Sequence, residues 1–240
     1  MFFPECDQFN GIHEGLVQSW KDIFPKKGEI HFAGALENNE DTGTLQYLAS
    51  TAMEAGFSTR VLDMQALDLQ NGRFFDPAGE LVNRCFKLYP WEWMVDESPD
   101  GCLAEMEWLE PIWKLVMSNK AILATLYELF PDSPYVLPCY LSRPRSGLFC
   151  KKPVFSREGH NVSVVDIRNW EEHVRIAETE GDYNTGAYVY QEYVEPTVYS
   201  GRYPVIGSWI IGGEAAGIGI RENRMEVTDN LSEFVPHIIG

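Results

Sequence analysis

Lys152, Ser156, Arg157 and Gly159 fall close together in the run KPVFSREGHNVSV, Lys152 to Val164, and these residue types suit phosphate binding. A lysine opens a strand-like stretch, a polar turn carrying Gly159 closes it, and a second β-rich stretch, Val162 to Ile167, returns. That is the layout of a hairpin whose tip can fold over an anion. Glycine lets the backbone approach a bulky anion closely, Lys152 and Arg157 bring fixed positive charge, and Ser156 with the backbone N–H groups brings donors. On this segment alone, a surface hairpin with a charged tip fits equally well.

Other chemistries find little support. His13, His31, His160, His173 and His237 show no HxxH or HExxH spacing, and no GxSxG nucleophile motif occurs. Walker A and the GxGxxG dinucleotide fingerprint are also absent, so a nucleotide site must follow another design. The order of residues suggests one. Lys120 lies near the start of an expected helix, and 32 residues later Lys152 lies on an expected strand. The loop Ser156 to Asn161 follows, then the strand-borne YQEYV (Tyr190 to Val194), then Arg221 after a Gly-rich strand. Two lysines from separate elements can hold the α and β phosphates between two sheets while a loop covers the γ phosphate. Backbone atoms of a connecting strand would read the adenine edge, which needs one acceptor and one donor.

The composition bounds the partners. At 240 residues the chain can bury one large core or two small ones. Its formal net charge of −17 repels polyphosphate at long range, so nucleic acid and anionic membrane surfaces are not expected as partners, whereas a polyamine would be drawn in. Acidity for solubility alone is the plainer account. Five scattered cysteines without a CxxC pair fit reduced thiols in the cytoplasm. The N-terminus lacks a signal-peptide pattern, and no apolar run of membrane-spanning length occurs.

The elements that would position these groups begin with a helix over Ile12 to Phe24, ended by Pro25. A strand over Glu29 to Ala35 and a helix over Thr44 to Ala55, capped by Asp41 or Thr42, come next. A strand over Phe57 to Leu62 completes half of an open α/β sheet. Leu69 to Leu88 reads as a hairpin around the turn DPAGE. PWEWM and WLEPIWK are aromatic-rich and expected to pack together. A helix over Ser118 to Phe130, capped by Ser118 or Asn119 and stopped by Pro131, precedes a half dominated by antiparallel strands. One more helix is expected around Asn169 to Glu178. The fold class is therefore α/β (α+β). Residues 1–130 are expected to form an α/β substrate-side region with a linker helix, and residues 131–240 a nucleotide-binding lobe.

Several long segments resemble the glutathionylspermidine synthase family: WLEPIWKLVMSNKAILATLYELFP, KPVFSREGHNV, YVYQEYV, GSWIIGGEAAGIGIRE and the ending FVPHII. FKLYPWEWM and DQFNGIHEGLVQSW fit the same family, so the resemblance runs from about Asp7 to the end. It implies an ATP-grasp fold for the synthetase part, with two lobes of largely antiparallel sheet gripping the nucleotide. It implies that Lys120 and Lys152 are the ATP-phosphate lysines, with Glu158 and Gly159 in the phosphate-covering loop. Gln191, Glu192, Tyr193 and Val194 would form the adenine-contacting hinge, and Glu226, Val227 and Thr228 a further nucleotide-contacting strand. Arg221 would lie near the reacting phosphate and, with Lys152, act in catalysis.

The family's magnesium ligands lie in a motif like EYNADTPT, upstream of the part matched here. Glu37 and Asn39 share a Glu-x-Asn spacing but not its flanks, so that role is not carried over; Glu40 and Asp41 would instead face a substrate amine. The chain is therefore expected to be an N-terminally truncated member, with no metal ligand of its own and magnesium ligands upstream. The activity implied is ATP-dependent carboxylate–amine ligation through an acyl phosphate, joining a glutathione-like peptide to spermidine or another amine. Two alternatives stay open: a non-catalytic ATP-binding protein, and an interaction module that docks through the aromatics of PWEWM and WLEP.

Overall fold

The computed structural model describes residues 7–176, 178–183, 186–227 and 232–239. Among these, the chain divides into two compact units. The first comprises 7–115, Ser208–Ile218 and Ile239; the second comprises Val116–Gly207 and the described part of Gly219–Ile238.

The first unit is built on a parallel sheet. Helix α1 (Ile12–Ile23) buries Val17 and Trp20, and the Trp20 indole N–H donates to Thr51 Oγ1 of helix α2 (Asn39–Glu54) at 2.8 Å. Strand β1 (Glu29–Gly34) is central, pairing in parallel with β2 (Ser58–Asp63) on one side. Its near-continuous apolar run fits a strand covered on both faces. Gly34 is required by close approach, because a Cβ there would sit 2.9 Å from both the Leu88 carbonyl and Leu45 Cδ1. A small antiparallel sheet follows, made of β3 (Asp68–Gln70), β4 (Arg73–Phe75) and β5 (Leu81–Val82). Strand β6 (Arg84–Leu88) then returns to the other side of β1, and β7 (Glu107–Leu109) extends the sheet to the order β2-β1-β6-β7. Helix α3 (Trp91–Glu97) buries Trp91 and Met94 against Phe74, Val82 and Cys85.

Two expectations are corrected here. Helix α2 starts several residues before Thr44, because Asn38 caps it by accepting from the Glu40 N–H at 2.9 Å; Glu40 and Asp41 fall in its first turn, where they offset the helix dipole. The expected hairpin over Leu69 to Leu88 covers only β3 to β5, since Asn83 separates β5 from a strand that joins another sheet.

In the second unit, the one-turn helix α4 (Leu115–Ser118) leads to α5 (Ala121–Leu129). Ala124 of α5 is buried with Cys139 and Val189, which seats the helix on an antiparallel sheet. That sheet contains β8 (Cys139–Tyr140), β9 (Gly147–Pro153), β10 (Ser163–Arg168), β11 (Glu171–Ile176) and β12 (Tyr188–Glu192), in the order β11-β10-β9-β12-β8. The chain also forms a three-stranded sheet of β13 (Tyr203–Ile211), β14 (Glu214–Asn223) and β15 (Glu233–Val235), of which Ser208–Ile211 and Glu214–Ile218 are counted with the first unit. The helix expected around Asn169 to Glu178 is instead β11. Arg168 pairs with Glu171 across a two-residue turn, and both turn residues, Asn169 (φ 49°) and Trp170 (φ 72°), take the positive φ that a tight hairpin demands.

No helix among the described residues is long and apolar enough to cross a membrane.

Candidate functional site

The second unit contains a cavity of about 400 Å³ on one face of its antiparallel sheet, and most of the residues singled out in the sequence line it. Strand alternation decides which do. On β9, Phe149 and Lys151 point to the face where Val165, Ile167 and Tyr190 are packed, and there Lys151 Nζ donates to Glu172 at 3.1 Å. Cys150 and Lys152 point the other way, into the cavity. Lys152 Nζ donates to Gln191 Oε1 at 2.7 Å, and among the described residues no carboxylate pairs with it.

Lys120 reaches the same cavity from the position just before α5. Its backbone N–H donates to the Val154 carbonyl at 2.8 Å, and its ammonium donates to the Ser156 carbonyl and, at 2.9 Å, to Ser156 Oγ. The lysine thereby fastens the start of the loop to the helix. The far end is fastened by Thr179, whose hydroxyl donates to the Gly159 carbonyl and accepts from the Val162 N–H at 2.9 Å. Asn161 adds a bond from its side-chain amide to Glu178 at 3.0 Å and accepts from the Tyr183 N–H at 2.8 Å. Between these anchors Glu158 and Gly159 both take positive φ, 56° and 75°, so the loop turns sharply over the cavity.

Arg221 on β14 and Glu226 and Val227 beyond it also line the cavity, as does Tyr193. The Tyr193 hydroxyl donates to Glu226, and Arg175 lies over its ring at 5.5 Å. Burial, then the bond to Glu226, pushes the Tyr193 hydroxyl up to about 12. Burial likewise raises the Cys150 thiol, against the pull of the Lys152 charge. Lys120, Lys152, Arg157 and Arg221 thus share the lining with only two carboxylates, Glu158 and Glu226. A cationic wall in a chain of net charge −17 is the pattern of an anion site.

Not every residue expected at the site lines it. Gln191 is outside the lining, bonded to Lys152 and flanked in register by Cys139 and Cys150. Glu192 and Val194 are exposed and outside the lining. The Glu192 N–H donates to Pro138 at 2.7 Å and the Tyr193 N–H to Leu148 at 3.0 Å, so those donors serve the protein's own backbone. Thr228 lies outside the described residues. Sequence reasoning missed Cys150 and Val164, although counting two residues from Lys152 and matching register across the hairpin reaches both. Thr179 carries no signal in the sequence, because it follows directly on the helix expected around Asn169 to Glu178.

Among the described residues no group of three or more His, Cys, Asp or Glu side chains is placed to hold a metal ion. A larger cavity, about 710 Å³, lies in the first unit beside Lys27, Glu29, His31, Arg84 and Glu107. Three carboxylates, Glu29, Glu105 and Glu107, line it against Lys27 and Arg84, and Arg84 binds Glu107 at 2.8 Å. Burial lowers the His31 imidazole from its ordinary value, against the pull of Glu29 and Asp76. Volume favours this cavity, but the disposition of charge favours the smaller one.

An α/β architecture with parallel and antiparallel sheets defines a class of fold that solved structures share. A crystal structure from Methylobacillus flagellatus KT, provisionally named a gamma-glutamylcysteine synthetase, superposes with a TM-score of 0.53, covering 94% of this chain and 72% of that one at 9% identity. The likeness is one of fold. Residues 2–240 match the glutathionylspermidine synthase preATP-grasp family, and the chain belongs to it. A Haemophilus influenzae relative, provisionally named an acid–amine ligase, is 35% identical over 243 residues, covering 96% of this chain and 62% of the relative. Trypanothione synthetase of Crithidia fasciculata is 28% identical over 236 residues, covering 86% and 35%. The bifunctional glutathionylspermidine synthetase/amidase of Escherichia coli K12 is 26% identical over 266 residues, covering 96% and 42%. The chain thus spans less than two thirds of the length of each of these relatives.

Proposed function

We propose that this chain supplies the ATP-binding cavity of an ATP-grasp ligase that joins a carboxylate to an amine, as the names of its relatives suggest. The observation that carries the reading is the convergence of Lys120, Lys152 and the Ser156–Gly159 loop on one cavity. Lys120 and Lys152 neutralise the nucleotide's phosphates, the loop covers the terminal one, and Arg221 stabilises the phosphoryl group in transfer. The Tyr193–Glu226 pair and Val227 border the purine. Because Glu192 and Tyr193 donate their N–H groups elsewhere, the hinge reads the purine through its carbonyls and the Val194 N–H. Positioning and electrostatics do the work, so no nucleophilic side chain is needed.

In this reading the carboxylate of a glutathione-like peptide attacks the terminal phosphorus, ADP departs, and a polyamine displaces phosphate from the activated carbonyl. Residues 1–130 serve the substrate side and residues 131–240 the nucleotide lobe, with Lys120 on the linker helix. Magnesium ligands come from outside the described residues, and no step assigned to these side chains depends on them. Calorimetric titration with ATP tests the cavity, and phosphate release with glutathione and spermidine tests ligation. ATP binding without amine-dependent turnover would favour the non-catalytic reading.

A further inference from the structure

The side chain of Gln191 stands in a place where ion pairing would normally put a carboxylate. Its Oε1 accepts from Lys152 Nζ at 2.7 Å, while one residue earlier on the same strand Lys151 is held by Glu172 at 3.1 Å. Both lysines are partly buried and both are fixed by a side-chain oxygen. They differ in what the partner does to the charge. A glutamate cancels it locally; a glutamine fixes the ammonium and leaves the field intact. Residue 191 is also rigidly placed, since β12 runs between β9 and β8 and residue 191 is in register with Cys150 on one side and Cys139 on the other.

We propose that Gln191 is a positioning residue for Lys152, and that its neutrality sets the affinity of the cavity for a polyphosphate. The inference rests on the nucleotide reading of the cavity and gives Gln191 a side-chain role distinct from a backbone contact to the purine. It predicts that an isosteric acid is worse than no side chain at all. Gln191→Glu keeps the hold on Lys152 but pairs with its charge, whereas Gln191→Ala loosens the lysine and leaves it charged.

The test is calorimetric titration of the 240-residue chain and its variants with ATP and with AMP, alongside thermal melts. Gln191→Glu should weaken ATP binding by about tenfold or more, AMP binding by much less, and leave the melting temperature equal or higher. Gln191→Ala should cost ATP binding only about threefold. A purely structural glutamine gives the opposite order, with Gln191→Glu at parental affinity. If the parent binds ATP and Lys152→Ala abolishes binding, but both residue-191 variants match the parent, the positioning role is wrong and the cavity reading stands. If the parent does not bind ATP, the cavity reading falls and this inference falls with it.

Discussion

The arginines of the first unit and the two cavity lysines of the second are partnered in opposite ways, although other cations of the second unit, such as Lys151 with Glu172 and Arg168 with Asp166, are ion-paired too. In the first, the arginines end on carboxylates: Arg60 on Glu29 and Asp76, Arg73 on Glu105, and Arg84 on Glu107. In the second, the two cavity lysines make hydrogen bonds to neutral oxygens, Lys120 to Ser156 and Lys152 to Gln191. Ion pairs of the first kind tie strands and turns together and leave little field for a visitor. Neutral partners hold a cation in place and keep its field. The lesson is that a binding site is better recognised by how its charges are partnered than by how much empty space surrounds them.

Substitutions can break or sharpen this contrast. Lys152→Ala should reduce ATP affinity by about a hundredfold with little change in melting temperature, measured by calorimetry. Gly34→Ala should do the reverse, costing about 2–3 kcal/mol of stability through overlap with the Leu88 carbonyl while ATP affinity is kept, as urea unfolding would show. Thr179→Val removes the hydroxyl that clasps Gly159 and should weaken ATP binding by about threefold to tenfold by freeing the loop. Arg84→Gln breaks an ion pair in the first unit whose carboxylate is largely exposed and should cost about 1 kcal/mol without touching ATP affinity.

Lys87, a first-unit cation held by a neutral oxygen, adds a pH dependence. Burial, chiefly, lowers its ammonium from 10.5 to about 8, although it donates to the Tyr89 carbonyl at 2.7 Å and lies 3.9 Å from the Trp91 ring centroid. Between those two values the unfolded chain binds more protons than the folded one, so the parent gains stability as pH rises through the window. Lys87→Met removes that slope. Urea unfolding of both proteins at the two ends of the window should show the parent gaining on the variant toward the alkaline end.

Much of the fold was legible because local chemistry and tertiary structure agree. Pro25 follows α1, the DPAGE turn closes β4 onto β5, and the buried run IHFAG marks a central strand. Where they disagreed, tertiary pairing won. EEHVRI has helix-forming residues, yet the turn at Asn169 and Trp170 folds it back on β10. The grouping of Lys120 and Lys152 was legible from their order along the chain. The partners that hold them were not, since a bond between residues 39 apart leaves no trace in local pattern.

The alternation along β9 carries a last consequence for how this region can change over evolutionary time. Insertion or loss of one residue between Gly147 and Lys152 would exchange the outward and inward sides of the strand. Lys151 would then face the cavity, Lys152 would face Glu172, and the only sequence difference would be a shift in length. Homologues should therefore tolerate substitutions in this strand far more readily than indels.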